Sequence, residues 1–389
     1  MRLSRRLSLG LLLLAGLPAA ASATATRVRS LGGDGDFFED TANVLRWYGC
    51  LPSYGNTAVL ELGEFDPAHG ATAADQQAVR QGAGAHIDLG PQGRDGTVAA
   101  YLFRSGERAD QPGAMTLMYG RKWGGTQVAL LAAVDEADFV ADVPQGVRRD
   151  TSLRLCWGLG ARFDLGSRSY ADLAGEWRGS RVEYARSDLP RGIAQTSWGS
   201  YGLRARAVCG GGRTWALIPA ISYDREARWE AGAAASSPPD LLDSWTKRAG
   251  LGVNLFPTGD LLGIAAIEGR WGRERIAPLA ADGGGPGAVS LHYFNTLVAR
   301  LGLEARLRPW LTLRGGVLST AGFRGWTPPR NLGLRDDFDL TLGLGLHLGD
   351  FDADFLLNDD ALFNAGSIVT NAGSGERSTF SSVSLAYQF

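Results

Sequence analysis

The feature that most limits what this chain can fold into is a strict alternation of apolar and polar residues. It is clearest over residues 338–348, FDLTLGLGLHL, where Phe338 and the leucines after it occupy every second position. Successive side chains of a β-strand point to opposite faces, whereas a helix would distribute these leucines around a cylinder. The same pattern continues over residues 153–165 and 291–305. The chain is therefore predicted to consist of strands that each have one apolar face.

The strand pattern favours a membrane barrel over a soluble sandwich. Several segments exceed the five or six residues usual in a sandwich and are long enough to cross a bilayer at a tilt. Short turns such as 166–169 alternate with longer polar connections such as 135–150 and 324–337, as an up-and-down barrel requires. We predict an all-β fold, a transmembrane antiparallel up-and-down β-barrel over residues 58–389. Its strands, about 16 with about 14 as the alternative, are expected at residues 58–64, 82–89, 97–105, 114–123, 127–134, 152–165, 169–178, 197–209, 213–228, 244–256, 261–274, 288–305, 309–320, 337–348, 351–358 and 378–389.

The last segment, residues 378–389, alternates up to the final residue of the chain. Val383, Leu385, Tyr387 and Phe389 share one face, and a terminal Phe in contact with lipid avoids exposure to water. This pattern resembles the C-terminal assembly signal of Gram-negative outer-membrane β-barrels. The resemblance implies location in the outer membrane, contact with its lipid, and insertion by the barrel-assembly machinery. As the last strand, the segment is expected to pair with strands 351–358 and 58–64, closing the barrel.

Residues 1–23 have the features of a signal peptide. A basic start with Arg2, Arg5 and Arg6 precedes an apolar stretch that ends near Leu17. The sequence Ala-Ser-Ala then fits the rule for cleavage, which is expected after Ala23. The apolar stretch is shorter than the roughly 20 residues that a transmembrane helix needs.

Residues 24–57 come before the regular alternation and contain a glycine turn and an acidic pair. Gly32 and Gly33 allow a tight turn, and Asp40 is suited to cap a short helix. The glycines and the pair Glu39-Asp40 resemble the start of the long-chain fatty-acid transporter family, although residues 46–49, RWYG, stand where that family has Asn-Pro-Ala-Gly. The resemblance implies a hatch inside the barrel. The segment is expected to be either a periplasmic extension or a plug of the lumen.

Charged residues within the strands are expected to face the lumen, because lipid contact would cost several kcal/mol each. One interpretation is a charged pore that selects solutes; the other is a set of structural ion pairs that brace the interior. Arg204 and Arg206, two residues apart on one strand, are the best candidates for a basic patch. The candidate pore-lining residues are Arg154, Arg162, Arg204, Arg206, Arg248, Arg300, Arg314, Glu176, Glu268, Glu304 and Asp339.

The sequence offers no catalytic or metal-binding constellation. His69, His86, His292 and His347 are isolated from one another, and no serine elbow, zinc-binding helix or phosphate loop is found. We therefore expect no enzyme activity, metal or cofactor. The net charge of −2 argues against a nucleic-acid partner. The three cysteines, Cys50, Cys156 and Cys209, are too few for a disulfide framework, and their role is left open.

Taken together, these patterns predict a porin-like channel for passive diffusion of small solutes. Two alternatives are a hydrophobic-ligand transporter with an N-terminal hatch and a non-conducting barrel that serves as a structural or secretion partner. The oligomeric state and the solute are left open, because fold analogy does not determine function.

Overall fold

The protein is a closed barrel of antiparallel strands. A computed structural model describes residues 24–33, 35–63, 82–103, 115–143, 146–166, 168–186, 193–231, 240–276, 290–327, 333–357 and 380–389. Each strand pairs with its neighbours in sequence, and the first pairs with the last, which confirms the prediction of sixteen strands. The strands are β1 (Thr57–Gly63), β2 (Gly82–Leu89), β3 (Gly96–Phe103), β4 (Met115–Trp123), β5 (Thr126–Val143), β6 (Gly146–Gly166), β7 (Ser169–Arg186), β8 (Ile193–Gly211), β9 (Trp215–Ala231), β10 (Asp240–Thr258), β11 (Leu261–Ile276), β12 (Ser290–Arg308), β13 (Leu311–Thr327), β14 (Gly333–Leu348), β15 (Phe351–Leu357) and β16 (Phe380–Gln388).

The strands β5 to β14 are longer than predicted, with 16 to 21 residues each. The expected connections over residues 135–150 and 324–337 are wrong. Strands β5 and β6 stay paired from Asp135 and Arg154 to Val143 and Gly146, and β13 and β14 stay paired as far as Arg324 and Gly333. Apolar alternation marks only the part of a strand in lipid, about 9–11 residues. Backbone pairing continues beyond that part, where both faces can be polar. The alternation pattern therefore underestimated the lengths of these strands.

The two faces of the wall differ in burial as the alternation predicted. On β6, Leu159 and Trp157 are exposed on the outer face, whereas Arg162 on the inner face is only 6% exposed. Trp123, Trp177 and other tryptophans of the outer face are also exposed. A continuous apolar exterior on a closed sheet is suited to lipid, since no strand edge is left unpaired. Among the described residues, none of the helices has the length and apolar character needed to cross a membrane.

Strand β16 closes the barrel. It pairs with β15 on one side and with β1 on the other, as expected from the sequence, and the backbone N–H of Phe389 donates to Asn56 O at 3.0 Å. Tyr387 and Phe389 are exposed on the outer face, whereas Ser384 on the inner face is buried. The outer side chains continue the apolar surface to the end of the chain.

The residues before β1 lie within the barrel, and we call residues 24–56 the lumen segment. It contains α1 (Ala25–Ser30) and two 3₁₀ helices, Thr41–Leu45 and Tyr48–Ser53. The side chain of Thr24 caps α1 by accepting from Arg27 N, and that of Asp40 caps the next helix by accepting from Ala42 N. A further 3₁₀ turn, Pro91–Gly93, lies between β2 and β3.

The core of the protein lies between the lumen segment and the inner face of the wall. Trp47, Tyr48 and Leu51 of the segment are almost fully buried. They pack with Met118 and Leu131 of the wall in one apolar cluster. The barrel therefore has its hydrophobic core inside the lumen, in addition to its apolar outer surface.

Candidate functional site

Glycines on the inner face of the wall receive the lumen segment. A Cβ atom added to Gly160 on β6 would lie 2.5 Å from Gly49 N, and one added to Gly316 on β13 would overlap the backbone of Leu31 and Gly32. Side chains at these positions would therefore prevent the observed approach of the two backbones. Similar close contacts with the segment occur at Gly158, Gly250, Gly252, Gly302 and Gly343.

The first charged anchor joins α1 to strands β12 and β13. Arg27 Nε donates to Glu304 Oε2 at 2.6 Å, and its Nη1 donates to Asp40 Oδ2 at 3.2 Å. Arg314 Nε donates to the same Glu304 oxygen at 2.6 Å. Both arginines are buried, so their ion pairs are shielded from water. Removal of one partner would leave a buried charge uncompensated.

The buried position of Asp40 makes ionisation of its carboxyl group unfavourable. Burial raises the pKa of Asp40 to about 7, although the guanidinium of Arg27 acts in the opposite direction. Arg27 shares its charge between Asp40 and Glu304, which explains why the compensation is incomplete. Asp354 and Arg314 also face Asp40, and Asp354 adds to the rise.

Hydroxyl groups attach the start of the segment to the last two strands. Thr24 Oγ1 donates to Asp354 Oδ2 on β15 at 2.7 Å. The hydroxyl of Thr26 bonds to Ser382 and, at 2.5 Å, to Ser384 on β16. The inner face of the closing strand therefore binds the segment as well as completing the wall.

The second charged anchor is Arg206 on β8. Its Nη1 donates to the carbonyls of Gly35 at 2.9 Å and Asp36 at 3.1 Å, and its Nε donates to Asp172 Oδ2 at 2.9 Å. The guanidinium also lies 4.7 Å from the ring centroid of Trp47, a cation–π contact. Arg206 is 3% exposed, so it holds the segment and does not line open water.

Arg162 on β6 completes this anchor. Arg162 Nε donates to Asp172 Oδ1 at 2.7 Å, and its Nη1 bonds to Glu39 of the segment. The ring of Tyr170 lies 3.9 Å from the guanidinium carbon. Asp172 thus accepts from both Arg162 and Arg206, and the acidic residue Glu39 noted in the sequence is part of the same group.

The third charged anchor is Glu176 on β7. It accepts from Tyr48 Oη of the segment at 2.6 Å, from Arg204 Nη2 at 2.6 Å and from Arg178 Nη2 at 2.7 Å. Arg204 also pairs with Asp224 at 3.4 Å. The expected basic patch is therefore neutralised, because Arg204 pairs with Glu176 and Asp224 and Arg206 pairs with Asp172.

His86 on β2 holds the end of the lumen segment. Its Nδ1 bonds to Tyr54 O at 2.7 Å, and its Nε2 bonds to the hydroxyl of Tyr101. The side chain is fully buried. Sequence reasoning gave this histidine no role, and only its position near the end of the segment would have pointed to it.

The remaining candidate pore-lining residues are distributed around the wall. Arg154 lies 3.9 Å from Asp135, and Arg300 lies 3.6 Å from Glu268. Asp339 is exposed on β14, and Arg248 on β10 is half-buried. His69 lies outside the described residues, and His292 and His347 are on the non-adjacent strands β12 and β14.

The cysteines are present as thiols. Cys50 and Cys156 are buried and Cys209 is exposed. Burial raises the pKa of the Cys50 thiol to about 12, so it behaves as a small apolar core residue. Among the described residues no group of three or more His, Cys, Asp or Glu side chains has the arrangement of a metal site.

A cleft remains between the lumen segment and the wall of β1 to β3. Its walls are mainly small or apolar, with Leu45 on the segment side and two aromatic rings, Tyr101 and Phe103, on the other. The lining residues are Ala25, Thr41, Ala42, Leu45, Val59, Glu61, Gly82, Ala83, Gly84, Tyr101 and Phe103.

The closed sheet, the apolar exterior and the outward-facing final strand agree on one location. The protein is an outer-membrane β-barrel. No protein-family model and no curated protein sequence matches the chain.

Several solved structures are similar to the chain in fold. CdiB from Escherichia coli is 10% identical with a TM-score of 0.48, and the match covers 86% of this chain and 62% of CdiB, less than two thirds of its length. The CymD monoaromatic hydrocarbon channel is 12% identical with a TM-score of 0.45, covering 94% of this chain and 98% of CymD. The toluene transporter TbuX of Ralstonia pickettii is 12% identical with a TM-score of 0.40, covering 95% and 99%. Similarities of this size carry no argument about substrate.

Proposed function

We propose that the protein is an outer-membrane channel for small solutes whose lumen is closed at rest by the lumen segment. The observation that carries this proposal is the anchoring of the segment to opposite sides of the barrel. It bonds to β16 through Thr26, to β12 through Arg27 and to β7 through Tyr48. A segment held on several sides of the lumen is suited to block it.

The charged inner face supports a closed lumen rather than a permanently open pore. In an open porin, charges that select solutes would face water. Here Arg162, Arg206 and Arg314 are buried and bonded to the segment or to carboxylates beside it. Solute passage in this proposal requires the segment to leave or to shift.

Single-channel recording in planar bilayers tests the proposal. The intact protein should be silent, whereas deletion of residues 24–54 should give stable open currents. Heat-modifiable gel migration of both forms shows whether each barrel is folded. Stable currents from the intact protein, or silence from a folded deletion variant, would contradict the proposal.

A disulfide offers a second test that keeps the whole chain. The hydroxyls of Thr26 and Ser384 are 2.5 Å apart, so Thr26→Cys with Ser384→Cys places two thiols within bonding reach. The oxidised form should stay silent in urea concentrations that open the wild-type protein, and a reductant should restore opening. The single variant Ser384→Cys is the control.

A second candidate function is transport of a hydrophobic ligand along the cleft beside the segment. The apolar lining at Leu45, Tyr101 and Phe103 favours it. An apolar fluorescent probe should then bind the detergent-solubilised barrel, and Leu45→Asp should reduce that binding. If neither currents nor probe binding occurs in any folded variant, the structural or secretion-partner role becomes the better proposal.

A further inference from the structure

Most arginines that face the lumen bond to carboxylates, and Arg248 on β10 is an exception. Within the described part of the chain it forms no ion pair, and its Nε atom is buried without a hydrogen-bond partner. A partly buried cation without an ion-pair partner is unfavourable, and arginine cannot relieve this by losing its proton.

Other cations surround Arg248. Arg270 is its partner in register on β11, and Arg46 of the lumen segment lies within electrostatic range. Asp224 and Glu268 also lie within electrostatic range of Arg248, but they pair with Arg204 and Arg270. Arg270 bonds to Glu268, which also pairs with Arg300 on β12 at 3.6 Å. We call Arg46, Arg248 and Arg270 the arginine site. Their mutual repulsion adds to the cost of holding Arg248 charged.

The arginine site offers hydrogen-bond donors and access from the lumen. Ser222 on β9 is the register partner of Arg248 on its other side, and its Oγ is also buried without a partner. Arg46 and Arg248 are both half-buried, so a small molecule in the lumen can reach them. The planar fork of a guanidinium matches the paired oxygens of a carboxylate or phosphate.

We propose that the arginine site binds a small oxyanion, a carboxylate or a phosphate, inside the lumen. The oxyanion accepts hydrogen bonds from Arg248 and Ser222 and reduces the repulsion between Arg248, Arg46 and Arg270. Since Arg46 belongs to the lumen segment and Arg248 to the wall, the bound anion stabilises the docked segment. This inference goes beyond the proposed function, because binding requires no conduction.

Thermal unfolding of the purified protein in a zwitterionic detergent tests the proposal. Inorganic phosphate and succinate are the probes, with sodium chloride at matched ionic strength as the reference. The unfolding temperature of the wild-type protein should rise saturably with at least one probe and not with chloride. Arg248→Gln should weaken that response at least tenfold. Arg94→Gln, in an exposed turn, is the matched control and should respond as the wild type does.

Two further measurements separate a ligand site from a structural role and from lipid. In probe-free buffer Arg248→Gln should unfold at the wild-type temperature or above, because the arginine removed has no ion pair to lose. Anionic lipid added to the micelles should not compete with phosphate, since the wall separates the site from lipid. The proposal is overturned if Arg248→Gln is less stable without probe, if it binds the probes as the wild type does, or if the wild type binds neither.

Discussion

Substitution of Gly316 by alanine should release the lumen segment without damage to the barrel. Gly316 lies on the inner face of β13, and an added Cβ would overlap the backbone of Leu31 and Gly32. The neighbouring Gly315 faces outward, where an added Cβ would meet Leu342 Cδ2 at 3.5 Å, an ordinary contact. The two variants make the same chemical change on adjacent residues of one strand.

The size of the expected change in docking follows from the part of the structure that has to move. The backbone of β13 cannot yield within a hydrogen-bonded wall, so the segment has to withdraw near Leu31, whose side chain is 1% exposed. Loss of one buried leucine costs about 1.5–3 kcal/mol. This corresponds to a change of roughly 10- to 150-fold in the ratio of docked to undocked segment. Gly315→Ala should change that ratio by less than about twofold, since alanine is tolerated in strands.

Single-channel open probability and protease cleavage of the segment report this ratio. Gly316→Ala should raise both, whereas Gly315→Ala should match the wild type, and both barrels should show heat-modifiable migration. Equal behaviour of the two variants would refute the steric argument. A Gly316→Ala barrel that fails to fold would place the defect in the wall instead of the segment.

Three further predictions concern the closing strand and the anchors. Deletion of Phe389 should lower the membrane-inserted, heat-modifiable fraction several-fold, because the last outer side chain and a backbone hydrogen bond are lost; unchanged insertion would refute its role in closure. Ser384→Ala should insert normally but weaken docking by about 1 kcal/mol, the net value of one hydrogen bond, as measured by protease cleavage near Thr26. Because the folded-state pKa of Asp40 is raised to about 7, ionisation of this carboxyl opposes docking, so its contribution to docking should be fully present below about pH 4 and should be lost as the pH rises through about 7. Asp40→Asn should remove that part of the pH dependence of cleavage, and a profile identical to the wild type would contradict this.

The wall could be predicted from the sequence because lipid and lumen impose opposite demands on alternate residues. Residues 338–348 and 153–165 show this directly, and the outward and inward faces are as expected. The end of β16 was equally clear, since Tyr387 and Phe389 continue the same face. Outside the bilayer a strand does not need an apolar face, so the pattern did not predict the parts of β5 and β6 that extend beyond the membrane.

The contacts inside the lumen could not be predicted, because they depend on which strands lie opposite the segment. Alternation places Gly316 on the inner face with Arg314 and Gly315 on the outer face, but nothing in the local sequence shows that the segment touches the wall at Gly316. Arg206 and Arg248 are both inward arginines on long strands, yet one bonds to Asp172 and three carbonyls and the other has no ion pair among the described residues. Their difference arises from neighbours far away in the sequence.

The order in which the lumen segment meets the wall has a consequence for biosynthesis. Thr26 bonds to β16, Tyr48 bonds to β7, and Tyr54 bonds to β2, so the earliest residues of the segment contact the latest strands. The separation in sequence falls from 358 residues at Thr26 to 32 at Tyr54. The residues near Thr26 are therefore synthesised long before their partners on the last strand exist. Closure of the wall and completion of the interior are expected to be one late event, in which an error at the chain end leaves the whole lumen unfinished.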